Sequence, residues 1–422
     1  MYKKTVFDNG LRVINYDMPN RQSVALGIWI RVGGRYETKE FKGISHFLEH
    51  MLFKGTRKYS CRQLKETIEG VGGSLNGFTS EELTCYLVKI PAAYLRLALD
   101  VLSDMVLNPT LPSKEIEKEK QVILEEIKMH KDLPQSYCLD LLDELLWPDQ
   151  PLGEPIIGTL DSVSGITKRD LCLFKEKFYT PANIVISAAG ALDFNKFIKG
   201  VKKTFPRHKG KVKFECLPAK EGRGAPQLKL FAKDTEQTHM ALGFHSLSRS
   251  HPLRHALGIL HIILGANMSS RLFNEVREKR GLAYDIGTQV KRLADTGSFV
   301  VHAGIDNRKV TQALRVILKE LKIVKERLVG KPEFRRAKEF YKGQLALALE
   351  DTLEHMLWIG EPTATLDKSY SLSEIIKEIN RVSREDVRGV ASQLLQEKNM
   401  NLALIGPLKA KNSRQIEAEL KI

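Results

Sequence analysis

The sequence predicts an α+β protein of two duplicated lobes, each a mostly antiparallel sheet packed against helices, the pair enclosing a cleft. Three observations predict it. The chain has 422 residues, too many for one core when domains run to roughly 100–200 residues. Residues 206–227, PRHKGKVKFECLPAKEGRGAPQ, concentrate Pro, Gly and Lys without a helical period, as an interdomain linker does. The stretches on either side repeat the same order of elements. The predicted division is a first lobe over residues 1–206, a linker over 207–227 and a homologous second lobe over 228–422.

The elements follow in order. MYKKTVFDNGLRVINYDMP places two short alternating segments around Asp8-Asn9-Gly10, a turn signal, so the chain opens on a hairpin rather than a signal peptide. An apolar strand begins at Val24-Ala25-Leu26-Gly27 in the first half and at Met240-Ala241-Leu242-Gly243 in the second. An apolar helix follows each. Then RQLKETIEGVGGSLNGFTS at 62–80 and SRLFNEVREKRGLAYDIGT at 270–288 both read as helix, glycine-containing turn and strand. A further apolar strand sits near each half's end, at 183–190 and 401–406. Two repeats are too few for a solenoid, so a packed pair with a cleft is the expected arrangement.

Composition bounds the function classes. With 42% hydrophobic and 28% charged residues and no low-complexity tract, the chain is globular rather than disordered. No apolar run reaches the roughly 18 residues of a membrane-spanning helix, so no membrane association and a cytoplasmic location are expected. Cys61, Cys85, Cys138, Cys172 and Cys216 are odd in number and never spaced as CxxC, which favours reduced structural thiols. The formal charge of +15 raises a polyanion partner as a reading. However, the basic residues are spread along the chain and interleaved with acids, as in 114–120, so a solvated surface accounts for most of them and nucleic acid is not an expected partner.

The chemistry concentrates in GISHFLEHMLFKGT. His46 and His50 stand four apart on a helical stretch, so both imidazoles face the same way one turn apart, with Glu49 beside them. This HxxEH order inverts HExxH. A catalytic zinc needs three protein ligands and an open position for water, and Glu49 is the candidate to accept that water's proton. Composition gives roughly 0.03 chance matches to His-x-x-acid-His in the chain, so the motif is suggestive alone. A third ligand comes from SKEIEKEKQVILEEIKMHKD at 113–132, which reads as a helix with Ser113 as a possible cap and an apolar stripe of Ile116, Ile123 and Ile127. Glu119 and Glu126, two turns apart, fall on that stripe, whereas Glu115 and Glu125 turn toward its flank. Burying an unpaired carboxylate costs several kcal/mol, so two acids there suit a nearby cation. Glu126 is the predicted third ligand and Glu119 the acceptor for a ligating imidazole; the bland reading is acids snorkelling from a helix edge. His251 and His255 are also four apart, with His261 nearby, but no acid accompanies them in sequence. Pro252 fits a helix's first turn, so His251 reads as a capping or surface residue and His255 as packing; His130 reads as an isolated histidine.

HFLEHMLFKGT followed by EKQVILEE resembles the pitrilysin and insulinase peptidases, in particular their mitochondrial-processing-peptidase-like branch, over essentially the whole chain. The resemblance implies one zinc per chain on His46, His50 and Glu126, Glu49 as catalytic glutamate and Glu119 as the further acid. It implies that Arg277 and Tyr284, in RLFNEVREKRGLAYDIG, reach the zinc site from the second lobe and stabilise the oxyanion. Without it, Arg277 would read as a solvated helix residue and Tyr284 as strand core. GSLNGFT at 73–79 resembles the edge strand on which an extended peptide docks by backbone hydrogen bonds, making Asn76, Gly77 and Phe78 candidate substrate-binding residues; turn geometry alone also explains the glycines. A glycine-rich loop expected in the second lobe is reduced to Gly265-Ala266-Asn267.

The expected function is therefore a zinc-dependent endopeptidase acting on peptides or unfolded or leader segments, working as a homodimer or with a paralogous partner subunit. Two readings compete: a catalytically silent peptide-binding or structural subunit of the same fold, and a polyanion-binding protein.

Overall fold

A computed structural model describes residues 2–205, 216–222, 224–408 and 410–421. The linker expected over 207–227 lies in part outside the described residues. The chain forms two compact units, Met1–Lys128 with Pro155–Leu217 and Ala346–Leu372, and Met129–Glu154 with Pro218–Leu345 and Ser373–Ile422.

The first unit is built on a sheet of β1 (Lys3–Val6), β2 (Arg12–Asp17), β3 (Ser23–Ile30), β4 (Ser74–Thr79), β5 (Thr84–Pro91) and β6 (Ile184–Gly190). Its spatial order is β1-β2-β6-β3-β5-β4. β1 and β2 pair antiparallel around the expected turn, closed by Gly10 at φ +86. Only β2 and β6 run parallel; β3–β6, β3–β5 and β4–β5 are antiparallel. β4 stands at the sheet's edge.

The second unit holds β7 (Gln227–Ala232), β8 (Gln237–His245), β9 (Ala283–Arg292), β10 (Gly297–Asp306) and β11 (Asn401–Gly406), in the order β7-β11-β8-β10-β9. Again the first and last strands in sequence pair parallel, and the rest antiparallel. Numbered by appearance from β2 onward, both sheets read first, fifth, second, fourth, third. That identity of topology is the duplication read from the sequence, and β1 is the first unit's addition.

Two segments join the unit opposite to their sequence half. Every residue of β6 and all but the first of β3 are buried, so both faces of the first sheet need cover. One face carries the main core, with Phe47, Leu48 and Met51 of the helix Ile44–Leu52 and Ile116, Ile123 and Ile127 of the helix Ser113–Asp132. The other is covered by the helix Thr352–Leu366, whose Met356 and Ile359 pack on Ala25, Trp29, Val185 and Ala189. Fully burying side chains of that size stabilises by about 1.5–3 kcal/mol each. Close approach needs Gly360, where a Cβ would stand 2.2 Å from Trp29 Nε1. In the second unit the helix Pro134–Leu146 does the equivalent, placing Cys138, Leu141 and Leu142 on Ala241, Ala403 and Ile405. The apolar character of these strands on both faces dictates the exchange, and a division at residues 207–227 does not capture it.

The five cysteines are free, Cys85 and Cys138 buried. Among the described residues no helix is long and apolar enough to cross a membrane.

Candidate metal centre

The HxxEH segment forms the helix Ile44–Leu52, entered through Gly43 at φ +92. A side chain there would be strained, and its Cβ would meet Ile157 O at 2.7 Å. Two backbone donors at the start of the helix are satisfied by Glu37: its Oε2 accepts from Gly43 N at 2.9 Å and its Oε1 from Ser45 N at 2.7 Å. Glu37 is buried, with Lys42 Nζ 3.7 Å away. Burial pushes the Glu37 carboxyl up, against the pull of Lys42 and the two backbone donors.

On this helix His46 and His50 stack one turn apart with ring centroids 4.4 Å apart. Glu126 comes from the helix Ser113–Asp132, where Ser113 is the first helical residue and Pro112 O receives Ile116 N–H. One ligand atom from each of His46, His50 and Glu126 lies within 4.8 Å of the others. Glu119, buried on the same helix, accepts from His50 Nδ1 at 3.0 Å and from Lys54 Nζ at 2.5 Å. With Nδ1 so engaged, His50 Nε2 faces Glu126 Oε2 at 3.8 Å.

Electrostatics fit a cation. Burial drives the His46 pKa down to about 3, and the neighbouring His50 adds to it, so this imidazole is neutral as a metal ligand must be. Burial also opposes charge on His50, but Glu119, Glu126 and Glu49 outweigh it and the pKa rises. Burial likewise raises Glu119, yet its hydrogen bonds from His50 and Lys54 prevail and hold it below the usual range. Three carboxylates around two imidazoles concentrate a negative potential that a divalent ion would meet. Two nitrogens and one carboxylate oxygen match a catalytic zinc donor set. His46 Nδ1 is buried without a hydrogen-bond partner among the described residues.

Glu49 is 8% exposed, and burial raises its pKa against a hydrogen bond from Thr79, whose Oγ1 donates to Oε2 at 2.7 Å. Thr79, Glu37 and Lys54 were not among the residues singled out from the sequence. Alternation along β4 is the one local signal for Thr79, because it shares a face with Gly77. Asn76 and Phe78 occupy the other face: Asn76 Oδ1 accepts from Gly77 N, and the Phe78 ring sits edge-on to Trp29 at 5.8 Å.

Arg277 and Tyr284 belong to the second unit. The guanidinium of Arg277 lies 5.3 Å from the Tyr284 ring centre and 4.7 Å from that of Phe273. Tyr284 is 74% exposed, so it is not strand core. Arg277 sits in the π-helical turn Phe273–Glu278 where the pattern predicted an α-helix; Lys279 N reaches back five residues to Asn274 O, a widening frequent at functional sites. Both residues line a cavity of about 480 Å³ with His239, Asp285 and His302. Among the competing histidines, His251 Nδ1 accepts from Leu253 N in the turn that precedes the helix Arg254–Leu264, and His255 is held by Glu378, which the fold brings from a distant helix. His130 bonds Asp140.

A family model described as Insulinase (Peptidase family M16) matches residues 12–160, and one described as Peptidase M16 inactive domain matches residues 165–341. An uncharacterized zinc protease of Bacillus subtilis (strain 168) is 39% identical over 407 residues, covering 96% of this chain and 98% of the relative. Another, of Streptomyces coelicolor, is 37% identical over 421 residues, covering 98% and 91%. Two crystal structures share the fold: a protease from Helicobacter pylori (TM-score 0.90, 22% identity, 96% and 99% covered) and a peptidase M16 inactive domain from Pseudomonas fluorescens (TM-score 0.88, 19% identity, 97% and 99% covered). With relatives this similar along its whole length, the chain belongs to the insulinase-type peptidase family M16.

Proposed function

We propose that this chain is a zinc-dependent endopeptidase that hydrolyses peptides or unfolded and leader segments. The observation that carries the reading is the convergence of His46, His50 and Glu126 from two helices onto one point. His46, His50 and Glu126 would hold the ion, one per chain, and Glu119 would keep His50 in the tautomer whose Nε2 is free to ligate. Zinc, when bound, supplies a Lewis acid that lowers a water's pKa to roughly 7.

Glu49 accepts a proton from the attacking water and later delivers one to the leaving amine. Arg277 and Tyr284 bind the substrate carbonyl and stabilise the developing oxyanion, a cation and a phenol donor being suited to it. β4, at the sheet edge, seats the extended peptide along Asn76, Gly77 and Phe78 by backbone pairing, which reads conformation more than sequence. A cytoplasmic homodimer, or a pair with a paralogous subunit, acting as a processing-type peptidase completes the proposal.

The competing reading is a catalytically silent peptide-binding or structural subunit, favoured by the description of the second matched model as an inactive domain. That model begins at residue 165, whereas His46, Glu49, His50 and Glu126 all fall within the match to residues 12–160. Metal analysis of the purified chain and cleavage of quenched peptides with and without chelator separate the two. Stoichiometric zinc with chelator-sensitive hydrolysis supports the enzyme; zinc without hydrolysis supports the silent subunit.

A further inference from the structure

Side chains alternate across β4, with Ser74, Asn76 and Phe78 more exposed than Leu75, Gly77 and Thr79. The second set meets the helix Ile44–Leu52. Thr79 Oγ1 is 2.7 Å from Glu49 Oε2, and since a carboxylate only accepts, the hydroxyl donates. Two residues earlier, a Cβ on Gly77 would stand 3.1 Å from Glu49 Oε1 and 3.2 Å from the Phe53 ring. One carboxylate oxygen is therefore held by a hydroxyl, while the other overlooks a glycine whose missing side chain leaves it room.

A glutamate has three side-chain torsions, the last of them broad, so its position on a helix does not fix where its oxygens point. We infer that Thr79 is a positioning residue for Glu49, anchoring Oε2 so that Oε1 is the oxygen presented to the water's proton. In that step the water O–H bond breaks and an H–Oε1 bond forms, while the Thr79 hydrogen bond stays on Oε2. β4 pairs with β5 through the same residues, Gly77 opposite Tyr86 and Thr79 opposite Thr84, so the mount is a paired strand rather than a loop. The edge proposed to seat the peptide and the hydroxyl that orients the base then belong to one rigid segment, and substrate docking and base alignment share a single frame. The inference rests on the peptidase reading and deepens it.

The test uses the full-length zinc-loaded protein carrying Thr79→Val, which keeps the branched shape and removes the donor, and Thr79→Ser, which restores the donor. kcat and KM on a quenched peptide are measured separately, with zinc content, thermal unfolding and a crystal structure of each variant. Thr79→Val is expected to lower kcat roughly 10- to 100-fold, the worth of one hydrogen bond to a charged group, with KM within about twofold, full zinc content and Glu49 turned from its wild-type orientation. Thr79→Ser is expected to recover most of the loss. A purely structural role would shift the melting temperature and leave the serine variant no better than valine. Wild-type turnover in Thr79→Val, or equal losses in both variants, overturns the inference while leaving the peptidase reading intact; an inactive wild-type enzyme removes that reading itself. Should Thr79→Val fold poorly, Gly77→Ala takes its place. Its methyl crowds Oε1, so lower kcat with KM and zinc content unchanged supports the inference, since impaired peptide docking along β4 would raise KM; unchanged kcat counts against it.

Discussion

Nδ1 of His50 lies 3.0 Å from Oε1 of Glu119, whose other oxygen takes Lys54 Nζ at 2.5 Å. This chain of lysine, carboxylate and imidazole fixes both the tautomer and the ring plane of His50, leaving Nε2 to face Glu126. Partners of this kind orient a metal ligand without touching the metal.

Replacing Glu119 by Gln should therefore weaken zinc binding by about 10- to 100-fold while leaving the fold intact, because the amide keeps the carboxylate's shape. Competition with a chromophoric chelator reads this directly. Unchanged affinity would show that His50 is oriented by packing alone.

Glu49→Gln separates proton transfer from metal binding. It should retain one zinc per chain and lose about 10²- to 10⁴-fold in turnover, the usual contribution of a positioned acid or base. Undiminished hydrolysis would remove Glu49 from that role.

The buried Glu37 cap makes a stability prediction. Glu37→Ala removes the carboxylate beside the buried Lys42 ammonium, which keeps its hydrogen bond to Gly34 O, and takes the acceptor from the N–H groups of Gly43 and Ser45, so it should reduce the unfolding free energy by about 3–5 kcal/mol. The double variant Glu37→Ala/Lys42→Met should recover part of this, since the buried ammonium that lost its carboxylate is gone. Chemical denaturation of the three proteins decides it; a single variant within about 0.5 kcal/mol of wild type, the range of ordinary surface substitutions, refutes the cap's importance.

His261 gives a pH dependence. Burial lowers its pKa to about 4, helped by Arg292 and His302, and its Nδ1 is 2.7 Å from Thr288 Oγ1. The unfolded chain would titrate this group near 6.5, so between pH 6.5 and about 4 the unfolded state binds the extra proton. Stability from this group is complete above pH 6.5, falls as pH drops through that window, and levels off below it. Denaturant midpoints of the wild type should fall across the window, and His261→Asn should show a shallower slope. Identical slopes would mean that other groups carry the acid sensitivity.

What the sequence revealed and what it hid divide along local and non-local lines. His46, Glu49 and His50 share one helix, where spacing alone fixes the face, so they were legible. Glu119 and Glu126 were legible from their place on the apolar stripe, although Glu126 keeps a third of its side chain exposed. Alternation assigns Thr79 a face of β4 but not the helix which that face meets, and Lys54 and Glu37 reach the site through the paths of loops, which no local pattern encodes. The same holds for the helix Thr352–Leu366. Its amphipathicity is weak because the buried face mixes Met356 and Ile359 with Thr352, His355 and Thr363, and nothing in its own residues names the sheet of the other half as its partner. Without the family resemblance Tyr284 would read as strand core because aromatics favour strands, yet on β9 it stands exposed beside Arg277.

Two imidazoles one turn apart and a carboxylate from another helix are expected to hold one zinc ion. Anomalous X-ray scattering measured on both sides of the zinc absorption edge, from crystals of the Glu49→Gln protein, tests it most directly. A single strong peak per chain, bounded by His46, His50 and Glu126, is expected. A map without a peak there, or one in which Glu126 turns away from both rings, contradicts it.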